Sequence, residues 1–261
     1  MGFVRWLKQI LLPLFAVGMY LFLYIPILIM LVFSFNQNKL GYFWTGFTVK
    51  WYVQLLHTRE LWFSLSNSLI VAAFAVFLSL LFAVMIVYGL GRWLDKFFSL
   101  FYVSVVVPEI IIAVGLMAVF SLLHVQLGLG TLIIGHTLLG LGYAVPMIHG
   151  RYSELDGSLV EASYDLGASG WQTFYKIILP FLYPSLLSAG LFVFIMSLDD
   201  FLISFFCTGS TSQTLSLYIF ALIRSGVSPM INALSMGMLF ITSGLVLMYS
   251  WITKKSDFRI I

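Results

Sequence analysis

Six stretches of this chain are long enough to cross a lipid bilayer as helix and contain no lysine or arginine. They are approximately Ile10–Ser34, Asn67–Gly91, Leu100–Leu123, Thr131–His149, Tyr183–Ile203 and Ile231–Thr253. A hydrocarbon core of about 30 Å takes about 20 apolar residues in helix, and only helices and closed barrels satisfy every backbone polar group in lipid. No water-soluble core could absorb this much apolar sequence. Of the 261 residues 61% are hydrophobic and only 9% charged, against roughly 25% charged in soluble domains. The pattern predicts an all-α membrane protein with six transmembrane helices. The first stretch is too long for the apolar part of a secretion signal and lacks a small-x-small cleavage site, so it reads as a retained helix.

Orientation follows from the basic residues between the stretches. With the N-terminus in the cytoplasm, Arg5, Lys8, Arg92, Lys96, Arg151, Lys176, Lys254, Lys255 and Arg259 fall on that side, and only Lys39, Lys50, Arg59 and Arg224 fall outside. Cytoplasmic loops carry the excess of lysine and arginine, so both termini are expected in the cytoplasm. The expected organisation is an N-terminal helix with its outer loop (1–64), a transmembrane domain (65–252) holding a cytoplasmic loop at about 150–179, and a short cytoplasmic tail (253–261). The outer segment 35–66 is rich in aromatics: Tyr42, Phe43, Trp44, Phe47, Trp51 and Tyr52. These rings suit anchoring at the headgroup level, or a docking surface for an external partner.

The cytoplasmic loop carries local helix signals. Ser158 with Glu161 three residues later predicts a capping box, Gly167 a C-terminal cap, and Ser169 with Gln172 a second capping box. The second helix is expected to finish before Pro180. Leu159, Ala162 and Leu166 define one apolar face, and Phe174, Ile177 and Ile178 another. An exposed apolar hairpin invites a protein partner; packing under the chain's own helices is the alternative.

Within this loop Glu161-Ala162-Ser163, Gly167 and Ile177-Ile178-Leu179-Pro180 resemble the EAA motif of binding-protein-dependent ABC permeases. That family's pattern is Glu-Ala-Ala, three residues, Gly, nine residues, Ile, one residue, Leu-Pro. Glu161, Ala162, Gly167, Ile177, Leu179 and Pro180 match at the family spacing, and Ser163 replaces the common alanine with another small residue. Ser34-Phe35-Asn36, Gly46-Phe47-Thr48 with Trp51-Tyr52, Asn67-Ser68-Leu69, Ser197-Leu198-Asp199-Asp200-Phe201 and Gly226-Val227-Ser228-Pro229 with Asn232-Ala233 look like the branch serving spermidine/putrescine importers. The resemblance implies a type I importer permease fold in the bacterial inner membrane. It implies a heterodimer with a second permease, two copies of an ATP-binding subunit that hold ATP and magnesium, and a periplasmic substrate-binding protein. The loop would be the coupling element that sits in a groove of the ATP-binding subunit, with transport by alternating access.

Three acidic residues, Glu109, Asp199 and Asp200, fall in or at the ends of the spans. A charge at mid-span costs at least roughly 2.5–3.5 kcal/mol on insertion scales, so such residues mark partners, water or a pathway. Pro108, which has no N–H to donate, is expected to disturb the third span beside Glu109, about halfway along it. Acids without lysine or arginine in the spans favour passage of a cation, and the resemblance assigns these three to polyamine transport. The competing reading has Asp199 or Asp200 capping nearby backbone and Glu109 lodged between helices. Two adjacent aspartates on a helix point roughly 100° apart, so one at most faces a given pathway. Trp44 offers a ring for a cation–π contact with substrate. His136 reads as hydrogen-bonded packing, and the four histidines show no metal-ligand spacing.

The chain has no Gly-x-x-x-x-Gly-Lys-[Ser/Thr] loop and no Gly-Lys pair, so ATP chemistry is expected on another chain. The lone Cys207 excludes an intramolecular disulfide. No nucleophile–base pattern points to an enzyme. The alternatives are an ABC permease for another small solute and a stand-alone secondary transporter, which often shows internal repeats; no duplication is visible here.

Overall fold

The computed structural model describes residues 2–39, 43–91, 94, 96, 101, 106–226 and 228–257. Tyr42, Arg92, Leu100, residues 102–105, Val227 and Arg259 lie outside the described residues. The described residues form helices α1 (Gly2–Phe33), α2 (Lys50–His57), α3 (Arg59–Leu90), α4 (Glu109–Leu122), α5 (Leu129–Ser153), α6 (Gly157–Asp165) and α7 (Gly170–Thr173). A π-turn (Phe174–Ile178) then leads into α8 (Leu179–Asp199), followed by α9 (Leu202–Cys207), α10 (Leu215–Ser225) and α11 (Pro229–Asp257). The one isolated bridge among these residues joins Asn36 to Phe47.

Among the described residues, five segments are long and apolar enough to span a membrane: Leu11–Phe33, Arg59–Leu90, Leu129–Ser153, Gly170–Asp199 and Pro229–Trp251. The shorter apolar α4 covers the second half of the third expected span. It begins only after Pro108, whose ψ of 127° is extended rather than helical. The expected mid-helix disturbance is therefore an interruption, and Glu109 is the first residue of α4 instead of a mid-span residue. A proline donates no N–H, so a helix start just after it leaves no ladder bond unmade. The fifth span also ends earlier than expected, at Asp199 rather than Ile203, because Asp200 turns extended (ψ 125°).

The chain divides into two units, Met1–Thr58 with Ile219–Gly244 and Arg59–Tyr218 with Leu245–Ile261. In the first, Leu11–Phe33 of α1 has none of its residues buried by the chain's own packing, as suits a helix whose solvent is lipid. Beyond α1 the chain folds into a knot around Asn36, which is fully buried. Asn36 Nδ2 donates to the Phe43 carbonyl, and its Oδ1 accepts the N–H of Thr45 and Asn38. Trp51 is buried, with its indole N–H on the Asn36 carbonyl at 2.7 Å. Trp51 is thus a core residue, whereas Phe43, Trp44 and Phe47 stay exposed.

The second unit is built on α3, α5 and α8. Their contact surfaces are made of small residues: Ala72, Ala75, Ser79, Ala83, Gly140, Ala144, Ala189 and Gly190. Small side chains let backbones approach closely where lipid supplies no hydrophobic drive for helix association. Gly140 shows the need, since a Cβ there would run into Ser79 Oγ and Val193. Val87, Val145, Ile148, Ile178, Leu182 and Val193 fill one end of this core; Val71, Leu132, Leu139, Ile203 and Cys207 fill the other.

Candidate functional site

Two places in the second unit gather the predicted residues. The first is the hairpin formed by α6, α7 and the π-turn. Asp156 caps α6, its Oδ1 accepting the Ser158 backbone N–H at 2.9 Å. That bond, and a second from the Ser158 side chain, hold the Asp156 carboxyl below its ordinary range. This corrects the expected Ser158–Glu161 capping box. Asp and Ser are comparable N-caps, and here Asp156 takes the role two residues earlier, leaving Glu161 exposed with no part in the cap.

α6 ends as expected at Gly167, whose φ is +80°. The Ala168 N–H donates to the Ser163 carbonyl and the Gly167 N–H to the Tyr164 carbonyl, the paired bonds of a Schellman motif. Ser169 and Gln172 then form the expected capping box, with Ser169 N–H on Gln172 Oε1 at 2.9 Å and Gln172 N–H on Ser169 Oγ at 3.3 Å. Ser163, the departure from the family pattern, hydrogen-bonds Thr173 Oγ1 at 2.8 Å and ties the two arms together. Alanine could not make that link.

Pro180 does not stop the second arm, contrary to expectation. The π-turn precedes it, with the Leu179 N–H donating to the Phe174 carbonyl five residues back. This wider turn loosens the backbone that a proline ring would otherwise crowd, so the helix runs on into the membrane. The two expected apolar faces also part company. Leu159, Ala162 and Leu166 are exposed, Leu166 at 89%, beside exposed Trp171 and Tyr175. Phe174 and Ile178 turn inward onto the core, and Ile177 is half-buried.

The second place is the break between α8 and α9. Asp199 ends α8 with its side chain exposed, while Asp200 beside it is buried. Asp200 Oδ2 accepts the Ser204 N–H at 2.9 Å and Oδ1 the Ile203 N–H at 3.3 Å, so it caps α9. Its backbone carbonyl accepts the Ser216 hydroxyl at 2.6 Å. His136, on α5, is 3% exposed, with Nδ1 2.8 Å from Ser197 Oγ and Nε2 3.3 Å from Asp200 Oδ2. The latter contact is electrostatic, since it lacks the alignment of a hydrogen bond. The half-buried Glu109 reaches the Asp200 carboxyl with its side chain. Around His136, Ser197 and Asp200 lies a cavity of about 10 Å³, also lined by Leu139, Gly140, Val193 and Met196.

Glu109 and Asp200 are thus brought together and Asp199 faces elsewhere. Ser197 and the ring of His136 are the additions. His136 was legible as hydrogen-bonded packing in a span, and Ser197 only as part of the Ser197–Phe201 likeness, with no role of its own. Trp44 belongs to the other unit, where its exposed ring stands edge-on to Phe33 at 6.4 Å.

Comparison with known proteins adds the following. Residues 75–261 match the family described as binding-protein-dependent transport system inner membrane component. The chain is 33% identical over 247 residues to the spermidine/putrescine transport system permease protein PotC of Haemophilus influenzae, covering 93% of this chain and 96% of that one. It is 34% identical over 225 residues to the putrescine transport system permease protein PotI of Escherichia coli K12, covering 82% and 80%. Its fold resembles a chain in the crystal structure of a bacterial alginate ABC transporter in complex with an alginate pentasaccharide-bound periplasmic protein. There the TM-score is 0.73 at 17% identity, over 96% of this chain and 94% of that one.

Proposed function

Because the chain belongs to the binding-protein-dependent transport system inner membrane components, we propose that it is the permease subunit of an ATP-driven importer that passes a polyamine, spermidine or putrescine, through the bacterial inner membrane. The observation that carries the coupling part is the hairpin. Its polar ends are capped and its turn is set by Gly167, yet Leu159, Leu166, Trp171 and Tyr175 are left uncovered. Apolar surface exposed in this way calls for a partner, and the partner that fits is an ATP-binding subunit, two copies of which hold ATP and magnesium. Glu161, Ala162 and Gly167 belong to the contacting arm, and Ile177, Leu179 and Pro180 join that arm to the membrane helix.

The remaining partners are a second permease and a periplasmic binding protein. Movement of the hairpin with the ATP-binding subunits opens the bundle outward, the binding protein releases its solute, and hydrolysis returns the bundle inward. The cation reading is supported by the names of the relatives and by Glu109, Asp199 and Asp200 in spans free of lysine and arginine. Trp44 supplies a separate exposed ring for a cation–π contact. Both termini and the hairpin lie in the cytoplasm on the distribution of basic residues.

Uptake of labelled spermidine and putrescine, with and without this gene, tests the substrate; equal uptake of both amines in the deletion strain overturns it. In a Cys207→Ser background, labelling of Ser169→Cys by an impermeant reagent in intact spheroplasts would overturn the orientation.

A further inference from the structure

The two adjacent aspartates live in different surroundings, and the difference has a consequence for how a cation is met. Asp200 has little left to offer a solute. Its two oxygens accept backbone N–H groups of α9, and both Glu109 and the ring of His136 close on the same carboxyl. Asp199 shares the peptide bond but is an exposed residue at the end of α8. His136 is the piece that joins the two sides of the break. A ring carrying its proton on Nε2, toward Asp200, can accept the Ser197 hydroxyl at Nδ1. One side chain on α5 thereby holds the last turn of α8 through Ser197 and the start of α9 through Asp200.

We propose that His136 is a positioning residue that clamps the α8–α9 break through Ser197 and Asp200, so that Asp200 serves as scaffold and Asp199 is the carboxylate presented to a passing cation. This rests on the reading of the protein as a polyamine permease, and it divides labour between residues that their sequence position makes look equivalent. Cleft geometry supports it as well. The space around His136, Ser197 and Asp200, about 10 Å³, is at the limit for a single water and too small for an alkylamine.

The test uses the assembled transporter. In a Cys207→Ser background, Asp199→Cys and Asp200→Cys are challenged with an impermeant cationic thiol reagent, and Asp199→Cys is expected to react about tenfold faster or more, since burial limits access to a thiol. Uptake of spermidine and putrescine is then measured per assembled complex. Asp199→Asn is expected to shift the ratio of the two amines by about threefold or more, the scale of one screened charge contact. His136→Ala and Asp200→Asn are expected to lower both amines together, by about tenfold, as for a buried polar group left without its partner. The His136→Ala/Asp200→Asn double variant should be no worse than the stronger single, because both act on one contact. His136→Gln, which keeps a donor and an acceptor, should recover most of the loss.

Equal labelling at 199 and 200, a ratio shift in Asp200→Asn matching that of Asp199→Asn, or additive losses in the double variant would overturn the clamp. If the wild-type complex carries neither amine, the polyamine reading falls by itself. The same double-variant comparison, made on ATP turnover in liposomes, then decides the clamp.

Discussion

The hairpin and the α8–α9 break are both places where one helix stops and another starts, yet they are built on opposite plans. The hairpin closes its backbone with neighbours: Asp156 with Ser158, Gly167 with Tyr164, Ser169 with Gln172. Its long-range surface is left open, with Leu166 at 89% exposure. The break does the reverse. Besides the local cap of Asp200 on α9, its partners come from α5 and α10, through His136 and Ser216, and Asp200, Ser197 and His136 are buried. A unit that satisfies itself locally keeps its shape while its flanks engage something else. One that depends on distant elements keeps those elements in place, and removing a partner is felt throughout.

The sharpest way to break this contrast is Asp200→Ala. It strips the cap of α9 and leaves the buried Ile203 and Ser204 N–H groups without an acceptor, a loss of about 2–3 kcal/mol. The amount of folded chain in membranes and its melting in detergent should both fall. Glu161→Ala, at an exposed position, should leave both unchanged. A stable Asp200→Ala protein would show that the break is held by something other than its buried polar groups.

Gly167→Val comes next. Nothing lies within 4 Å of a Cβ at this position, so only the backbone at φ +80° resists the change. That strain is about 1–2 kcal/mol or more for a β-branched residue. It should spare membrane insertion but abolish uptake and co-purification of the ATP-binding subunit. Gly167→Asn, which tolerates the left-handed region, should keep both. Equal loss in the two variants would point to the side chain rather than the turn.

Ser163→Ala is a smaller change. It removes the link to Thr173, but the Thr173 hydroxyl retains the Ser169 carbonyl at 3.2 Å, so the cost is about 1 kcal/mol or less. Uptake should stay within about twofold of wild type. A larger drop would mean that the two arms need that link to move together.

The smallest effect concerns pH. Asp156 is held below its ordinary value by Ser158, so its folded carboxyl stays ionised to lower pH than in the unfolded chain. The cap's contribution is complete above the ordinary aspartate range and fades only as pH falls through the lowered value, below about pH 4. Hydrogen-exchange protection of the Ser158 amide should therefore follow ordinary base-catalysed rates from neutral pH down to that point. An added loss of protection at pH 5 or 6 would refute the assignment.

The contrast also explains what the sequence could reveal. The spans, the glycine turn and the Ser169–Gln172 box are local or periodic features, and each was legible from residues within a few positions of one another. The choice between Asp156 and Ser158 as cap was not, because both are good N-caps and two residues apart. The role of Asp200 was legible as an alternative, a cap on nearby backbone, because Ile203 and Ser204 follow within four residues; its contact with His136, 64 positions away on α5, was not. Pro180 misled for a different reason: its rule assumes a regular α-helix, and the π-turn before it withdraws that assumption.

That π-turn has a mechanical consequence. Because the helix is not cut at Pro180, Gly170–Asp199 is one continuous helical stretch of 30 residues, with the hairpin at one end and Asp199 at the other. Such a stretch is about 45 Å long, and a tilt of about 5° pivoting on one end sweeps the other through about 4 Å. Leverage of that size is comparable to the diameter of a methylene chain. The π-turn lies within the first third of the shaft, at its hairpin end, and Pro184 follows it, so a change of helix axis is accommodated there rather than near Asp199.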